Sequence, residues 1–153
     1  MGDKELEKKT HKIDGVLVSP LKIIQNVRGD VLHGIKNSDS GHFGFGEAYF
    51  SIVLPNLIKG WTRHREMILN LIVPSGSIRF VIYDDRESSK TLNCFQEVIL
   101  SRKNYFRLTI PPMLWVAFQG LQKGENILLN FANLPHDDKE VDKKDLYDFS
   151  YIW

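Results

Sequence analysis

Residues 66–86 read EMILNLIVPSGSIRFVIYDDR, and this stretch decides the fold. Two runs rich in branched and aromatic residues, 66–73 and 77–83, are separated by Pro74-Ser75-Gly76 and closed by Asp84-Asp85-Arg86. Residues 64–73 alone would fit one or two helical turns, but Val73-Pro74 and Gly76 end any helix there. The 77–83 run is β by composition, although its apolar/polar alternation is only partial. Working outward, the same grammar recurs. Strands are expected at 16–25, 28–35, 46–54, 57–62, 66–73, 77–83, 94–100, 105–110, 114–119 and 126–131. Turn residues fall between them at 37–41, 55–56, 74–76, 84–86 and 122–124. Nowhere do ten or more residues show a convincing helical stripe. Many short strands at about 8 to 12 residue spacing imply an all-β sandwich or barrel, with a jelly roll favoured.

The ends read differently. Residues 1–13 are densely charged and are expected to form a loose arm, leaving 14–153 as one domain. The 137–145 segment is a second charged run, expected to be solvated. After it, Tyr147, Phe149, Tyr151 and Trp153 alternate along a tail that should dock on the body in extended form. The chain has 153 residues, 42% of them hydrophobic, enough for one core and too many for a disordered chain. Twenty Lys and Arg against nineteen Asp and Glu leave a formal charge of +1. Such balance gives no global field for nucleic acid or an acidic membrane surface. The single cysteine, Cys94, cannot form an internal disulfide. No stretch approaches the roughly 20 apolar residues of a membrane-spanning helix, and the charged N-terminus lacks a signal-peptide core. A cytoplasmic protein is expected.

Chemistry has few footholds in this sequence. Gly41, Gly44 and Gly46 are followed by no helix pattern, so they read as a strand entry and not a phosphate loop. Of the five histidines, His33 and His64 sit in or beside strands, and none has a partner at His-x-His spacing, so no metal site is expected. The most informative segment is LIKGWTRHREM, residues 57–67, which sets cations and a histidine in a strand. At period 2, Lys59, Trp61, Arg63 and Arg65 would share one face, with Thr62 and His64 on the other. That pattern equally fits an edge strand whose charges meet water.

Five blocks, in order, resemble the cupin-type sugar-nucleotide epimerases, the family of dTDP-4-dehydrorhamnose 3,5-epimerase. They are Val27-Arg28-Gly29-Asp30, Gly46-Glu47-Ala48-Tyr49-Phe50-Ser51, Ile58-Lys59-Gly60-Trp61, the Gly76 to Asp84-Asp85-Arg86, Ser89 and Thr91 spacing, and Ile110-Pro111-Pro112 with Trp115 and Phe118. A sixth match runs from Asn130 to His136-Asp137 and the ending Tyr151-Ile152-Trp153. The resemblance covers residue 20 to the end. It implies a double-stranded β-helix, a nucleoside-diphosphate 4-keto-6-deoxy-sugar as substrate, no cofactor and a homodimer. The implied chemistry is proton removal beside the ketone, through an enolate, with a proton returned to the opposite face. Arg28 and Lys59 stand where the family binds phosphate, and His33 stands where it has a base-contacting glutamate.

The departures bear on the chemistry. The family's catalytic histidine falls at Thr62, its lysine near Leu69 or Asn70, its proton-donating tyrosine near Asn130, and a further histidine at Val116. His64, two residues after Thr62 and so on the same face, aligns with the second histidine of the Gly-x-His-Ala-His motif in related cupin 3,4-ketoisomerases. Imidazole, with an unperturbed pKa of about 6.5, can both take and return a proton. His64 is thus the candidate proton shuttle, Asp145 the candidate carboxylate to orient it and Tyr49 a candidate acid. Trp61 and Trp115 are either stacking walls for the substrate or core residues. Three readings compete: an epimerase or 3,4-ketoisomerase, a non-catalytic nucleotide-sugar-binding cupin, and a metal-dependent cupin enzyme. Dimer contacts are expected from the charged arm and the aromatic tail.

Overall fold

A computed structural model describes residues 11–153. The order of elements is β1 Leu17–Pro20, β2 Ile23–Ile24, β3 Val31–Leu32, β4 Glu47–Val53, β5 Ile58–His64, β6 Leu69–Ser75, β7 Ser77–Tyr83, β8 Phe95–Ser101, β9 Phe106–Ile110, β10 Trp115–Gly120, β11 Asn126–Ala132 and β12 Val141–Lys143. Two five-stranded antiparallel sheets carry the fold, one ordered β1-β9-β6-β11-β4 and the other β12-β5-β10-β7-β8. A separate two-stranded hairpin joins β2 to β3. Among the described residues there is no α-helix, and the all-β jelly roll expected from the sequence is the fold observed.

The 66–86 stretch takes the chain from one sheet to the other. β6 belongs to the first sheet and β7 to the second, with Gly76 alone between them. Gly76 has φ +82°, and a Cβ there would meet Asn126 at 2.5 Å, so the crossover needs glycine. Leu71, Val73, Ile78, Phe80, Ile82, Leu108, Val116 and Leu128 fill the space between the sheets. Alternation in 77–83 is only partial because the second sheet is apolar on both faces. Its outer face carries Trp61, Val81, Trp115 and Ala117, covered by Phe149, Tyr151 and Trp153 of the tail. Phe149 packs edge-on against Trp61 with centroids 5.3 Å apart, and lies 4.5 Å from Tyr83. The aromatic tail therefore docks on its own body, with Tyr147 turned out to solvent.

Three expectations need correction. The last residues of the supposed arm are anchored: His11 N–H donates to Phe95 O at 2.9 Å and Ile13 is fully buried. Residues 1–10 lie outside the described residues. The expected strands 16–25 and 28–35 are interrupted, leaving β1 and the short hairpin. Finally, the charged 137–145 run is not all solvated. It contains β12, an edge strand paired with β5 in the register Val141 to His64, Asp142 to Arg63 and Lys143 to Thr62. Its charges are compatible with an edge because Asp142 pairs with Arg63 at 2.9 Å.

Candidate active site

A cavity of about 240 Å³ opens between the two sheets. β4 contributes Tyr49 and Ser51; β5 contributes Lys59, Gly60, Thr62 and His64; β11 contributes Asn130. Leu69, Leu71, Val116, Phe118 and Leu128 make the apolar remainder. Thr62, Val116 and Asn130, positions where the resemblance sets family catalytic groups, line it, as does Leu69, one of the two positions where it sets the family lysine; the other, Asn70, does not.

Lys59 reaches this cavity through a break in the strand period. β10 pairs Val116 with Thr62 and Phe118 with Lys59, so two steps on β10 match three on β5. This bulge at Gly60 and Trp61 reverses the alternation, moving Lys59 to the face of Thr62 and His64 and leaving Trp61 with Arg63 outside. Glycine is required there: Gly60 has φ +138°, and a Cβ would sit 2.5 Å from the Cβ of Ala117. The Lys59 ammonium donates to Ser51 Oγ at 3.1 Å, bridging the two sheets.

His64 is held by a residue that the sequence reading passed over. Its Nδ1 lies 2.5 Å from Glu140 Oε1, and Glu140 is 7% exposed. The other carboxylate oxygen accepts the backbone N–H of Glu66 at 2.9 Å and of Met67 at 3.2 Å. Burial pushes the Glu140 carboxyl up, but the His64 bond and the two amides outweigh it and hold it below its ordinary 4.5. An ionised Glu140 accepts the Nδ1 proton and leaves Nε2 as the lone-pair nitrogen. Asp145, proposed from the sequence for this role, is exposed five residues further on, where it caps the N-terminus of a 3-10 turn and its N–H donates to Asp148 Oδ2 at 2.8 Å. The one hint of Glu140 in the sequence is Val141, an apolar residue inside the charged run.

Tyr49 projects from the opposite sheet, and its hydroxyl accepts from Asn130 Nδ2 at 3.1 Å. Trp61 and Trp115 are not walls of the cavity. They are 1% and 2% exposed on the outer face of the second sheet, where Arg63 stacks 4.6 Å above Trp115 and Asp85 accepts from its indole at 2.8 Å. Arg28 lies on the exposed β2–β3 turn and does not line the cavity. His33 lines a different hollow of about 260 Å³ beside Arg107, Lys22 and Lys36. The structure thus brings together His64, Tyr49 and Lys59 and separates them from the other five candidates. Asp84, fully buried, ties Arg86, Ser89 and Thr91 together as a structural knot. Among the described residues no three His, Cys, Asp or Glu side chains group as metal ligands, and no helix is long and apolar enough to cross a membrane.

Comparison with known proteins converges on one family. The model of the family described as FdtA: WxcM-like, C-terminal matches residues 14–151. A dTDP sugar isomerase from Desulfovibrio desulfuricans, solved by crystallography, is 35% identical, superposes with a TM-score of 0.88, and covers 92% of each chain. A probable low-salt glycan biosynthesis epimerase from Haloferax volcanii is 27% identical over 86% of each chain. A double mutant of ChmJ, a 3'-monoepimerase from Streptomyces bikiniensis in complex with dTDP, shares the fold at 15% identity, with a TM-score of 0.84 over 94% of this chain and 76% of its own.

Proposed function

From the premise that the chain belongs to the FdtA, WxcM-like C-terminal family, we propose that it is a cytoplasmic sugar-nucleotide epimerase of polysaccharide biosynthesis. Its substrate is a nucleoside-diphosphate 4-keto-6-deoxy-sugar, inverted at carbon 3, carbon 5 or both. The observation that carries this reading is the placement of His64 on β5 and Tyr49 on β4, two groups from opposite sheets lining one cavity. Epimerisation needs a base on one face of the ring and an acid on the other. A ketoisomerase, by contrast, relays a proton between neighbouring atoms.

Nε2 of His64 takes the proton from the carbon beside the ketone, and the electron pair moves to the keto oxygen as an enolate. The Tyr49 hydroxyl returns a proton to the opposite face of that carbon. Solvent then takes the proton from the imidazolium and restores the phenol, so the net change is configuration alone. At about 240 Å³ the cavity falls below the roughly 300–1,000 Å³ typical of sites that engulf a whole ligand. It accommodates the sugar, with the nucleotide at its rim and Lys59 as the point charge for the diphosphate.

A homodimer is part of this reading. Ile24, Val27 and Val31 are exposed on the β2–β3 hairpin, and Phe50 and Ile52 on β4, which among the described residues is an edge strand of its sheet. A lone two-stranded hairpin is marginal in water, and laying it on β4 of a second copy would cover both surfaces. Arg28 and His33 would then approach the rim of the partner's cavity, to which Tyr49 and Ser51 of β4 belong. The test is incubation with a dTDP-4-keto-6-deoxyhexose, followed by NMR of the product. Inversion beside the ketone supports the epimerase; movement of the ketone to carbon 3 supports the isomerase alternative; binding with neither change leaves only the non-catalytic cupin.

A further inference from the structure

We infer that Asn130 is a positioning residue that aims the Tyr49 proton into the cavity, so that tyrosine chemistry is supplied from the neighbouring strand. This deepens the epimerase reading and rests on it. Asn130 and Tyr49 are directly opposed in the β11–β4 register. Asn130 is 1% exposed, and both ends of its amide are engaged. Its Oδ1 accepts the backbone N–H of Asn70 at 3.2 Å. A backbone N–H can only donate, so this contact fixes which end of the amide is oxygen. Nδ2 must therefore face Tyr49, and it donates to the phenol oxygen at 3.1 Å.

The consequence is a polarity. The phenol oxygen is occupied as an acceptor from the protein side, and among the described residues its own O–H finds no acceptor there. Tyr49 lines the cavity, so the hydroxyl proton is left for whatever the cavity holds. When that proton is given up, the charge developing on the phenol oxygen already meets the Asn130 N–H. The amide is held in place from behind. Asn70 Oδ1 accepts from Thr109 Oγ1 at 2.6 Å and its Nδ2 donates to Gly41 O at 2.9 Å, so β6, β9 and the loop before β4 lock together.

The experiment uses full-length protein and a dTDP-4-keto-6-deoxyhexose in deuterium oxide, following deuterium in recovered substrate and in inverted product separately. In Asn130→Asp the carboxylate accepts from both Asn70 N–H and the Tyr49 hydroxyl, which turns the phenol proton away from the cavity. Inversion should fall at least about a hundredfold, the scale of a lost general acid, while His64 still exchanges deuterium into the substrate. Tyr49→Phe should show the same split. The Tyr49→Phe/Asn130→Asp double variant should be no slower than Tyr49→Phe alone, because the amide acts through the hydroxyl. Wild-type inversion by Tyr49→Phe would overturn the role of Tyr49 itself. Impaired Tyr49→Phe beside normal inversion in Asn130→Asp, or fully additive losses, would overturn the positioning role alone. Should Asn130→Asp fail to give a cooperative melt, Asn130→Ala replaces it in the cycle. Should that fail too, the wild-type protein decides: a nuclear Overhauser contact between the Asn130 Nδ2 protons and the Tyr49 ring supports the inference, and its absence overturns it.

Discussion

Glu140→Gln is the sharpest perturbation of the site, because it changes a proton's address and almost nothing else. The two backbone donors, Glu66 N–H and Met67 N–H, remain and demand an oxygen, so the glutamine carbonyl must turn toward them. Its NH2 group then faces His64 Nδ1 and donates to it, which places the ring proton on Nε2. The nitrogen that should take the substrate proton no longer has a lone pair. In serine proteases the analogous carboxylate-to-amide change lowers kcat by about 10⁴ through the wrong tautomer. For Glu140→Gln we expect a loss of about 10³ to 10⁴ in deuterium exchange, or roughly 4 to 5.5 kcal/mol at 1.36 kcal/mol per decade. Stability should fall only by about 1 kcal/mol, as one charge-assisted hydrogen bond becomes neutral. That difference has a pH signature. The Glu140 carboxyl is held below its ordinary 4.5, so its contribution is present above 4.5 and is lost as pH falls through the lowered value. Urea melts of wild type and Glu140→Gln should therefore differ at neutral pH and converge in acid. Exchange within about tenfold of wild type in a folded Glu140→Gln protein would refute the tautomer argument.

Lys59→Ala should raise KM about 10- to 100-fold with little change in kcat, the scale of one charge-assisted contact to phosphate; steady-state kinetics decide between this and a merely structural bridge to Ser51. Trp61→Ala should cost about 3–5 kcal/mol of stability, because it empties the outer-face aromatic cluster, while KM stays near wild type; a large KM effect at unchanged fold would return Trp61 to the substrate site. Gly60→Ala should lower the melting temperature by several degrees, since its Cβ would collide with Ala117 at 2.5 Å with φ at +138°; an unchanged melt would mean that the bulge is not needed to turn Lys59 inward.

Composition and turn spacing were enough for the fold, since strand runs cut by Pro and Gly left no room for helices. What they could not show was burial on two faces. The partial alternation of 77–83 reflects an outer face covered by a tail some 65 residues later in sequence. The same non-local cause misplaced Trp61 and Trp115, whose covering residues Phe149 and Trp153 are far away in the chain. Period-2 counting assigned Lys59 to the wrong face because a bulge inserts one residue at Gly60, and the glycine marking it looks like any other. Glu140 was hidden because a charged run is usually solvated, and only pairing with β5 carries this one glutamate to His64. His64 and Tyr49 were legible as candidates; that they line one cavity from opposite sheets emerges only when the two sheets pack.

The central claim is that the His64 imidazole removes a carbon-bound proton beside the ketone. Wild type and His64→Ala, incubated with a dTDP-4-keto-6-deoxyhexose in deuterium oxide and read by mass spectrometry, test it most directly. The account predicts deuterium uptake by wild type, a loss of at least about a hundredfold in a folded His64→Ala protein, and partial recovery on adding free imidazole. Uptake by His64→Ala at the wild-type rate would contradict it.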